Sequence, residues 1–217
     1  MKRIVIVGGH GKIALSLAEL LTARGHHVQS LVRNSDHEID VSATGAMPVI
    51  ADIEALSAEE LSEIFTGHDA IVFAAGAGGG SPERTYSVDR DAAIRTMDAA
   101  AHAGVNRYIM VSYRGASLTH GVPEDNSFHA YAQAKAEADE HLRTGPLHFT
   151  IVGPGSLSSD PASGMIDVGD APTAEHASRD NVAQVLAEVI DSDNTIGHTI
   201  EFMDGTTEIP EAIAAIA

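Results

Sequence analysis

The stretch RIVIVGGHGKIA, residues 3–14, decides the fold of this 217-residue chain. Its β-branched run from Arg3 to Val7 predicts a short buried strand that ends at glycines. Apolar residues then recur at helical spacing from Ile13 to Arg24, and Gly25 closes the segment. The stretch therefore predicts a strand, a tight glycine turn and a helix in direct succession.

The glycine turn has a spacing that suits a diphosphate ligand. From Gly8 it matches Gly-x-x-Gly-x-x-Ala, and from Gly9 it matches Gly-x-Gly-x-x-Ala. Glycines let the backbone approach a pyrophosphate, and the N-terminus of the following helix offers unpaired amides and a positive dipole end. An ordinary flexible turn is the alternative, but the position between a first strand and a helix favours dinucleotide binding. The expected contacts are Gly8, Gly9, His10, Gly11, Lys12 and Ile13.

Strands and helices continue to alternate through the middle of the chain. Further strands are predicted at 28–33, 47–51, 69–75, 107–112 and 147–152, and helices at 57–65, 81–103 and 128–143, with 34–40 as a polar connection. The strands are apolar throughout rather than half polar, which is typical of a parallel sheet covered on both faces. The expected fold class is therefore α/β, a doubly wound parallel sheet or Rossmann fold.

Beyond residue 152 the alternation loosens, and prolines and glycines mark loops. A short strand is predicted at 165–168, a helix at 179–190 and a late strand at 199–203. Residues 153–217 have too little regular structure for a core of their own. We therefore expect one NAD(P)-binding Rossmann domain, 1–217, in which 153–217 form a small C-terminal cap on the substrate side.

Composition narrows the choice of partners. Acidic residues outnumber basic ones by 31 to 13, and the net charge of −18 disfavours nucleic acid and anionic lipid as ligands. The chain has no cysteine, and its twelve histidines are scattered, so no metal site is expected. No apolar segment reaches the ~18 residues that a membrane span needs. We expect a cytoplasmic protein that binds a small-molecule substrate.

The ends of the later strands should meet the rest of the dinucleotide. Arg33 and Asn34 follow the second strand, where an acid suits the ribose of NAD and an arginine suits the 2′-phosphate of NADP. NADP is therefore the expected cofactor, with Lys12 as a second positive charge, while Asp36 keeps NAD open. The contacts expected after the third and fourth strands are Asp52, Ile53, Ala74, Ala75 and Gly76.

A tyrosine and a lysine lie four residues apart on one face of the predicted helix 128–143. An ammonium close to a phenol favours the phenolate, so Lys135 should lower the pKa of Tyr131 and tune it as a proton donor. Ser112, at the end of the fifth strand, can orient a substrate carbonyl. Tyr113 competes for the tyrosine role, but it has no lysine four residues later, and lining the pocket is its alternative. The expected catalytic set is Ser112, Tyr131 and Lys135.

These motifs together resemble the short-chain dehydrogenase/reductase superfamily, and within it the atypical NAD(P)H-binding branch that includes NmrA-like proteins and flavin or biliverdin reductases. The resemblance covers nearly the whole chain, including the segment IVGPG at 151–155. It implies a nicotinamide cofactor laid across the carboxyl ends of the strands, with Lys135 at the nicotinamide ribose and Pro154 among the cofactor contacts. The branch commonly has an arginine before that Pro-Gly pair, where this chain has Gly153.

The resemblance implies an NADP-dependent oxidoreductase that transfers hydride to a small carbonyl, quinone or flavin-like acceptor. Some members of the branch bind nucleotide without turnover, so a non-catalytic NADP(H)-binding redox sensor is the alternative, and a structural domain with a vestigial site is a third. Residues 114–127 and 153–169 are expected to form the substrate walls. The helices predicted at 81–103 and 128–143 can pair between subunits or pack within one subunit, so a homo-oligomer is one of two alternatives.

Overall fold

A computed structural model describes residues 1–79, 81–169 and 172–216. Its strands are β1 Arg3–Val7, β2 His27–Val32, β3 Met47–Ile50, β4 Ala70–Phe73, β5 Arg107–Val111, β6 His148–Pro154, β7 Ser156–Ser158, β8 Met165–Val168, β9 His176–Ser178, β10 His198–Asp204 and β11 Thr207–Glu208. Its α-helices are α1 Lys12–Ala23, α2 Glu38–Ala43, α3 Ala58–Phe65, α4 Pro82–Thr85, α5 Ala93–His102, α6 His129–Thr144, α7 Arg179–Asp191 and α8 Ile209–Ala214.

Nine of the strands form one sheet in the order β11-β8-β10-β6-β5-β4-β1-β2-β3. The seven strands from β10 to β3 in this order are parallel, and β8 and β11 are antiparallel additions at one edge. From β1 the chain proceeds outward to β2 and β3, then returns to add β4 on the other side of β1. The order therefore reverses between β1 and β4, and ligands of such sheets bind outside the carboxyl ends of the strands at this point.

The core lies on both faces of the sheet. Ile4 and Ile6 pack with α1 and α7 on one face, whereas Val5 and Val7 pack with α3, α5 and α6 on the other. Alternate side chains of a strand point to opposite faces, so a strand that is apolar at every position needs two covering layers. The predicted doubly wound α/β fold is confirmed.

Two helical segments differ from the prediction. The helix predicted at 81–103 consists of α4, a π-helical segment at Tyr86–Ala92 and α5. The polar connection predicted at 34–40 instead holds a 3-10 turn at Ser35–His37 followed by α2. Val41 is the one buried residue of α2, so this helix lacks the apolar periodicity that would have revealed it.

The segment after residue 152 contributes to the main sheet as well as to its rim. Strand β10 pairs in parallel with β6, β8 pairs with β10, and α7 covers α1. Strands β7 and β9 form a separate two-stranded sheet. The sequence analysis predicts β8, α7 and β10 but not β7, β9, β11 or α8. The substrate-side role of 153–217 stays a prediction.

Candidate functional site

The glycine turn between β1 and α1 lies against the end of β4. Gly8 has a φ of +83°, and a Cβ there would lie 2.5 Å from the Cα of Ala75. Gly9 packs on Ser30, and its amide donates to the carbonyl of Leu31 at 2.8 Å. The N-cap residue of α1 is Gly11, which has no side chain to cap the helix, and the first turn of the helix holds no acid. The first amides of this helix are therefore available to an anion such as a diphosphate.

A cavity of about 340 Å³ opens in front of this turn and is called the glycine cavity here. The structure brings together in it nine of the residues that the sequence predicts as cofactor contacts: Gly8, His10, Gly11, Arg33, Asn34, Asp52, Ile53, Ala75 and Gly76. Its other lining residues are Leu31, Val32, His37, Ala51, Glu54, Arg84 and Val88. A glycine turn, a helix N-terminus and the ends of β1 to β4 thus surround one space, which fits a dinucleotide.

The remaining predicted cofactor residues lie elsewhere. Gly9 is buried behind the turn, and Lys12 is exposed at the start of α1. Ile13 and Ala74 line a second cavity, and Pro154 lines a third. These five predicted cofactor residues therefore do not line the glycine cavity.

Charged groups bridge the mouth of the glycine cavity. Arg33 Nη1 donates to Glu54 Oε1 at 3.0 Å, and Arg84 Nη2 lies 3.8 Å from the same oxygen. Ser87 Oγ donates to Glu54 Oε2 at 3.1 Å. Glu54 thereby connects the end of β2 with α4 and the π-helical segment, and it holds the arginine expected to meet a 2′-phosphate.

Two histidines stack at the same mouth. The rings of His10 and His37 are parallel within 7°, with centroids 3.6 Å apart. His10 Nε2 lies 2.8 Å from Asp40 Oδ2. Asp36 is the acid that would suit NAD as the cofactor. It accepts a hydrogen bond from the side-chain nitrogen of Asn34 at 3.3 Å, and its backbone amide donates to the side-chain oxygen of Asn34 at 3.0 Å.

The predicted catalytic residues line a central cavity of about 610 Å³, which shares Ala75 and Gly76 with the glycine cavity. Ser112, Tyr131 and Lys135 are all part of its lining. It joins an outer cavity of about 390 Å³ through the shared residues Ser112, Tyr131, Phe128 and Leu157. The three cavities therefore follow one another along the carboxyl ends of the strands.

Aromatic rings form one wall of the outer cavity. The ring of Phe128 lies 5.2 Å from that of Tyr113 and 5.3 Å from that of Tyr131. Arg114 also lines this cavity, and its Nη2 donates to the carbonyl of Gly169 at 3.3 Å. A planar ligand would meet apolar surface here, with one cation at the rim.

Charged side chains are buried beneath the central cavity. Ser112 Oγ donates to Asp139 Oδ2 at 2.5 Å, and both residues are buried. Lys135 Nζ donates to the carbonyl of Val111 at 2.6 Å and lies 3.4 Å from the sulfur of Met110. Asp89 Oδ2 accepts from the amide of Ala77 at 3.0 Å, which fixes the loop after β4. Burial raises the pKa of each aspartate and lowers that of Lys135. The attraction between the ammonium and each carboxylate acts in the opposite direction.

The environment of Tyr131 differs from the expectation that Lys135 lowers its pKa. Burial raises the pKa of Tyr131, and the charges of Asp89 and Asp139 raise it further. The lysine reaches instead toward the end of β5, where it meets Val111. Tyr131 is therefore a protonated hydrogen-bond donor over an unusually wide pH range.

The position before the last Pro-Gly pair has no room for a larger side chain without movement. A Cβ on Gly153 would lie 3.2 Å from the carbonyl oxygen of Tyr113 and 3.4 Å from the Cγ of Glu201. Arg114, on the loop after β5, lines the outer cavity.

Sequence reasoning missed Glu54, Arg84, Asp89 and Asp139. Glu54 follows Asp52 by two residues in the same loop, and Asp139 follows Lys135 by one helical turn. A search for charges one turn from the predicted site would have found Asp139. Asp89 gives no such signal, because its burial depends on the π-helical segment.

Within 1–79, 81–169 and 172–216, no three His, Asp or Glu side chains come together as a metal site would require. Across the same ranges, no helix is both long and apolar enough to cross a bilayer.

Known proteins resemble this chain over nearly its full length. A family model described as NAD(P)H-binding matches residues 8–193. The "Uncharacterized sugar epimerase YhfK" of Bacillus subtilis is 33% identical, over 97% of this chain and 98% of that protein. A solved structure of a proposed NAD-dependent epimerase/dehydratase from Bacillus halodurans is 34% identical, with a TM-score of 0.90 over 99% of both chains.

The oxidoreductase ylbE from Lactococcus lactis is 28% identical, with a TM-score of 0.86 over 99% of this chain and 96% of that one. The family match begins at Gly8, the first residue of the glycine turn, and continues past α7. The resemblance to the NAD(P)H-binding branch is confirmed, and the chain belongs to the NAD(P)H-binding family of Rossmann-type, oxidoreductase-like proteins.

Proposed function

We propose that this protein is an NADP-dependent reductase that transfers hydride to a small carbonyl, quinone or flavin-like acceptor. One observation carries the proposal: Ser112 and Tyr131 line the central cavity together with Ala75 and Gly76, which also line the glycine cavity. A dinucleotide seated on the glycine turn would extend past these two small residues into the space beside the two hydroxyls. A bound nicotinamide would supply the hydride.

The side chains around the central cavity have separate tasks. Tyr131 donates a hydrogen bond to the acceptor oxygen, since burial keeps its phenol protonated. Lys135 is held by Val111 and supplies positive charge beneath the site. Phe128 and Tyr113, whose rings meet edge to face, give an apolar wall that displaces water from the acceptor.

NADP is the proposed cofactor on the basis of charge at the mouth of the glycine cavity. The side chain of Arg33 is 57% exposed, so it can turn from Glu54 toward a 2′-phosphate. Asp36, the acid that would favour the ribose hydroxyls of NAD, is engaged with Asn34 in a local turn. The two stacked histidines line the same cavity as Arg33 and add ring nitrogens that can donate to the same phosphate.

The reductase proposal is tested by NADPH oxidation with a panel of quinones, flavins, aldehydes and ketones. Tyr131→Phe should lower turnover by about 10²–10⁴-fold if its phenol serves the acceptor oxygen. Tyr86→Phe is the matched control, because the Tyr86 ring packs on Arg90 at 4.7 Å and lines none of the three cavities. Undiminished turnover in Tyr131→Phe would remove this residue from the mechanism.

The name of the Bacillus subtilis relative suggests a sugar epimerase activity as an alternative. An epimerase returns the hydride to its substrate and consumes no NADPH. Nucleotide sugars incubated with the protein and a nicotinamide cofactor, followed by proton NMR of the sugar, therefore separate the two activities. Stereochemical inversion without net cofactor oxidation would replace the reductase proposal.

A non-catalytic NADP(H) sensor is a further candidate. It is favoured by the hydrogen bond that Ser112 donates to Asp139. A serine so engaged has no hydrogen left for a substrate. Tight NADPH binding in calorimetry, with no turnover of any acceptor, would support this candidate. Failure to bind either nucleotide would leave the structural domain with a vestigial site.

A further inference from the structure

Four polar side chains form a buried group beneath the central cavity: Asp89, Ser112, Lys135 and Asp139. Their exposed fractions are 1%, 4%, 1% and 0%. Isolated buried charges are costly, so each should have a partner. Asp89 has the amide of Ala77 and Lys135 has the carbonyl of Val111. Asp139 has only Ser112 on one oxygen, and its Oδ1 is buried without a hydrogen-bond partner among the described residues.

The Ser112 hydroxyl has a single hydrogen to give. When it donates to an ionised Asp139, only its lone pairs face the cavity, and a substrate carbonyl, which is an acceptor, gains nothing from it. When Asp139 is protonated, the carboxyl donates to Ser112 Oγ, and the serine hydrogen is free to point into the cavity. The 2.5 Å separation suits either direction of donation.

We propose that Asp139 is a positioning residue that sets the direction of the Ser112 hydroxyl, so that Ser112 donates to an acceptor oxygen only when Asp139 carries a proton. The inference rests on the proposed reductase function and deepens it. Ser112 lines both the central and the outer cavity, so this single hydroxyl would be the contact through which Asp139 reaches a ligand.

The groups around Asp139 act on its pKa in opposite directions. Lys135 and Arg143, on the same helix, lower its pKa, as does the hydrogen bond from Ser112 at the end of β5. Asp89, from the π-helical segment, shares the Lys135 charge with it. Tyr113 and Tyr131 face it as neutral phenols. Burial outweighs the three lowering influences and raises the pKa of Asp139.

The direction of the pH dependence follows. Below the raised pKa, Asp139 is protonated and Ser112 donates into the cavity. As the pH rises through that pKa, Ser112 turns to Asp139, and binding of an acceptor oxygen weakens.

Asp139→Asn tests the inference, because the amide nitrogen can donate to Ser112 at every pH. With NADPH and the quinone menadione, the wild-type KM should rise with pH, whereas the KM of Asp139→Asn should stay low and flat. Ser112→Ala should give a high KM that does not change with pH. A wild-type KM without pH dependence, or a pH dependence retained in Asp139→Asn, would overturn the inference.

Infrared spectroscopy of the protein alone gives a second readout, independent of turnover. Over a series of pH values, the wild type should show a protonated carboxyl band that fades as the pH rises through the pKa of Asp139. Asp139→Asn should lose this contribution and keep only that of Asp89, and Ser112→Ala should shift it. The absence of this band would exclude a protonated Asp139. Inactivity toward every acceptor with the band present would refute the reductase and not the Ser112–Asp139 pair. Ser112→Ala keeps the aspartate and tests the pair even where Asp139→Asn fails to fold.

Discussion

Arg33 at the end of β2 is held by Glu54 across the mouth of the glycine cavity, with Nη1 and Oε1 3.0 Å apart. The same carboxylate lies within 3.8 Å of Arg84. An anion that approaches Arg33 must therefore displace Glu54, and the two negative charges repel each other. Glu54 is thus expected to oppose NADP more than NAD.

Glu54→Gln should tighten NADPH binding and leave NADH binding little changed. Arg33 is more than half exposed, so releasing the pair is expected to contribute about 1 kcal/mol, or roughly fivefold in Kd. Isothermal titration with both nucleotides measures the ratio. Glu59→Gln, an equal charge change on the exposed start of α3, is the control. An unchanged or lower preference for NADPH would refute this role of Glu54.

Arg33→Ala should weaken NADPH binding by roughly 10- to 100-fold, the value of a charge-assisted hydrogen bond of about 1.5–3 kcal/mol. NADH binding should change far less, because NADH has no 2′-phosphate. Arg24→Ala removes an equal charge at the end of α1, where Arg24 pairs with Glu188 outside the cavities. Equal losses for both nucleotides would contradict the assignment of Arg33 to the phosphate.

Gly8→Ala should abolish nucleotide binding and destabilise the protein. Gly25→Ala is a matched control, because Gly25 has a φ of +82° but no atom within 4 Å of an added Cβ. Both substitutions carry the left-handed backbone cost of about 1–2 kcal/mol, whereas only Gly8→Ala forces Ala75 away. Urea unfolding and calorimetry measure the two effects. If Gly8→Ala bound NADPH normally, the glycine turn would not be the diphosphate site.

Tyr131→Phe should remove a phenol whose pKa is raised. The chain has four tyrosines and no tryptophan, so tyrosinate absorbance reports these phenols alone. Burial raises the pKa of Tyr131 above the ordinary value of 10.0, so the wild-type and variant titrations should separate only above that pH. Separation below it would mean that Lys135 lowers the pKa, as the sequence analysis predicts.

Lys135→Met should destabilise the protein by about 3–5 kcal/mol, because it leaves two buried carboxylates without their cation. The folded-state pKa values of Asp89 and Asp139 then rise further, so the folded state holds more protons than the unfolded state. Stability is lost as the pH rises, and the deficit relative to wild type should be larger at about pH 8 than at about pH 5. Lys12→Met, at an exposed position, should stay within about 0.5 kcal/mol of wild type in urea. A deficit that is small or independent of pH would contradict the buried charge group.

The sequence predicts the fold because local and global signals agree. The glycine turn directly follows a strand that is apolar at every position, so the parallel sheet and the place of the glycine cavity follow from one segment. Arg33, Asp52 and Gly76 follow their strands, and the ends of parallel strands meet at one edge of the sheet. Their meeting in one cavity is therefore predictable without knowledge of any side-chain contact.

The buried charges could not be predicted in the same way. Asp139 is one of several acids on a polar helix, and the sequence does not reveal that it is buried against Ser112 at the end of β5. The four-residue spacing of Tyr131 and Lys135 predicts that they share a helix face, but not that Val111 binds the ammonium. Helix spacing determines the direction in which a side chain leaves the helix. The group that its terminal atoms contact depends on the tertiary structure.

The π-helical segment at Tyr86–Ala92 makes the arrangement sensitive to chain length. A π-helical turn holds an extra residue relative to an α-helix, so deleting one residue between 90 and 92 would restore ordinary winding. The residues before the deletion would then rotate by about 100° relative to α5. Asp89 would leave Lys135 and the Ala77 amide, so in relatives with a one-residue gap there Asp139 alone would face the same ammonium.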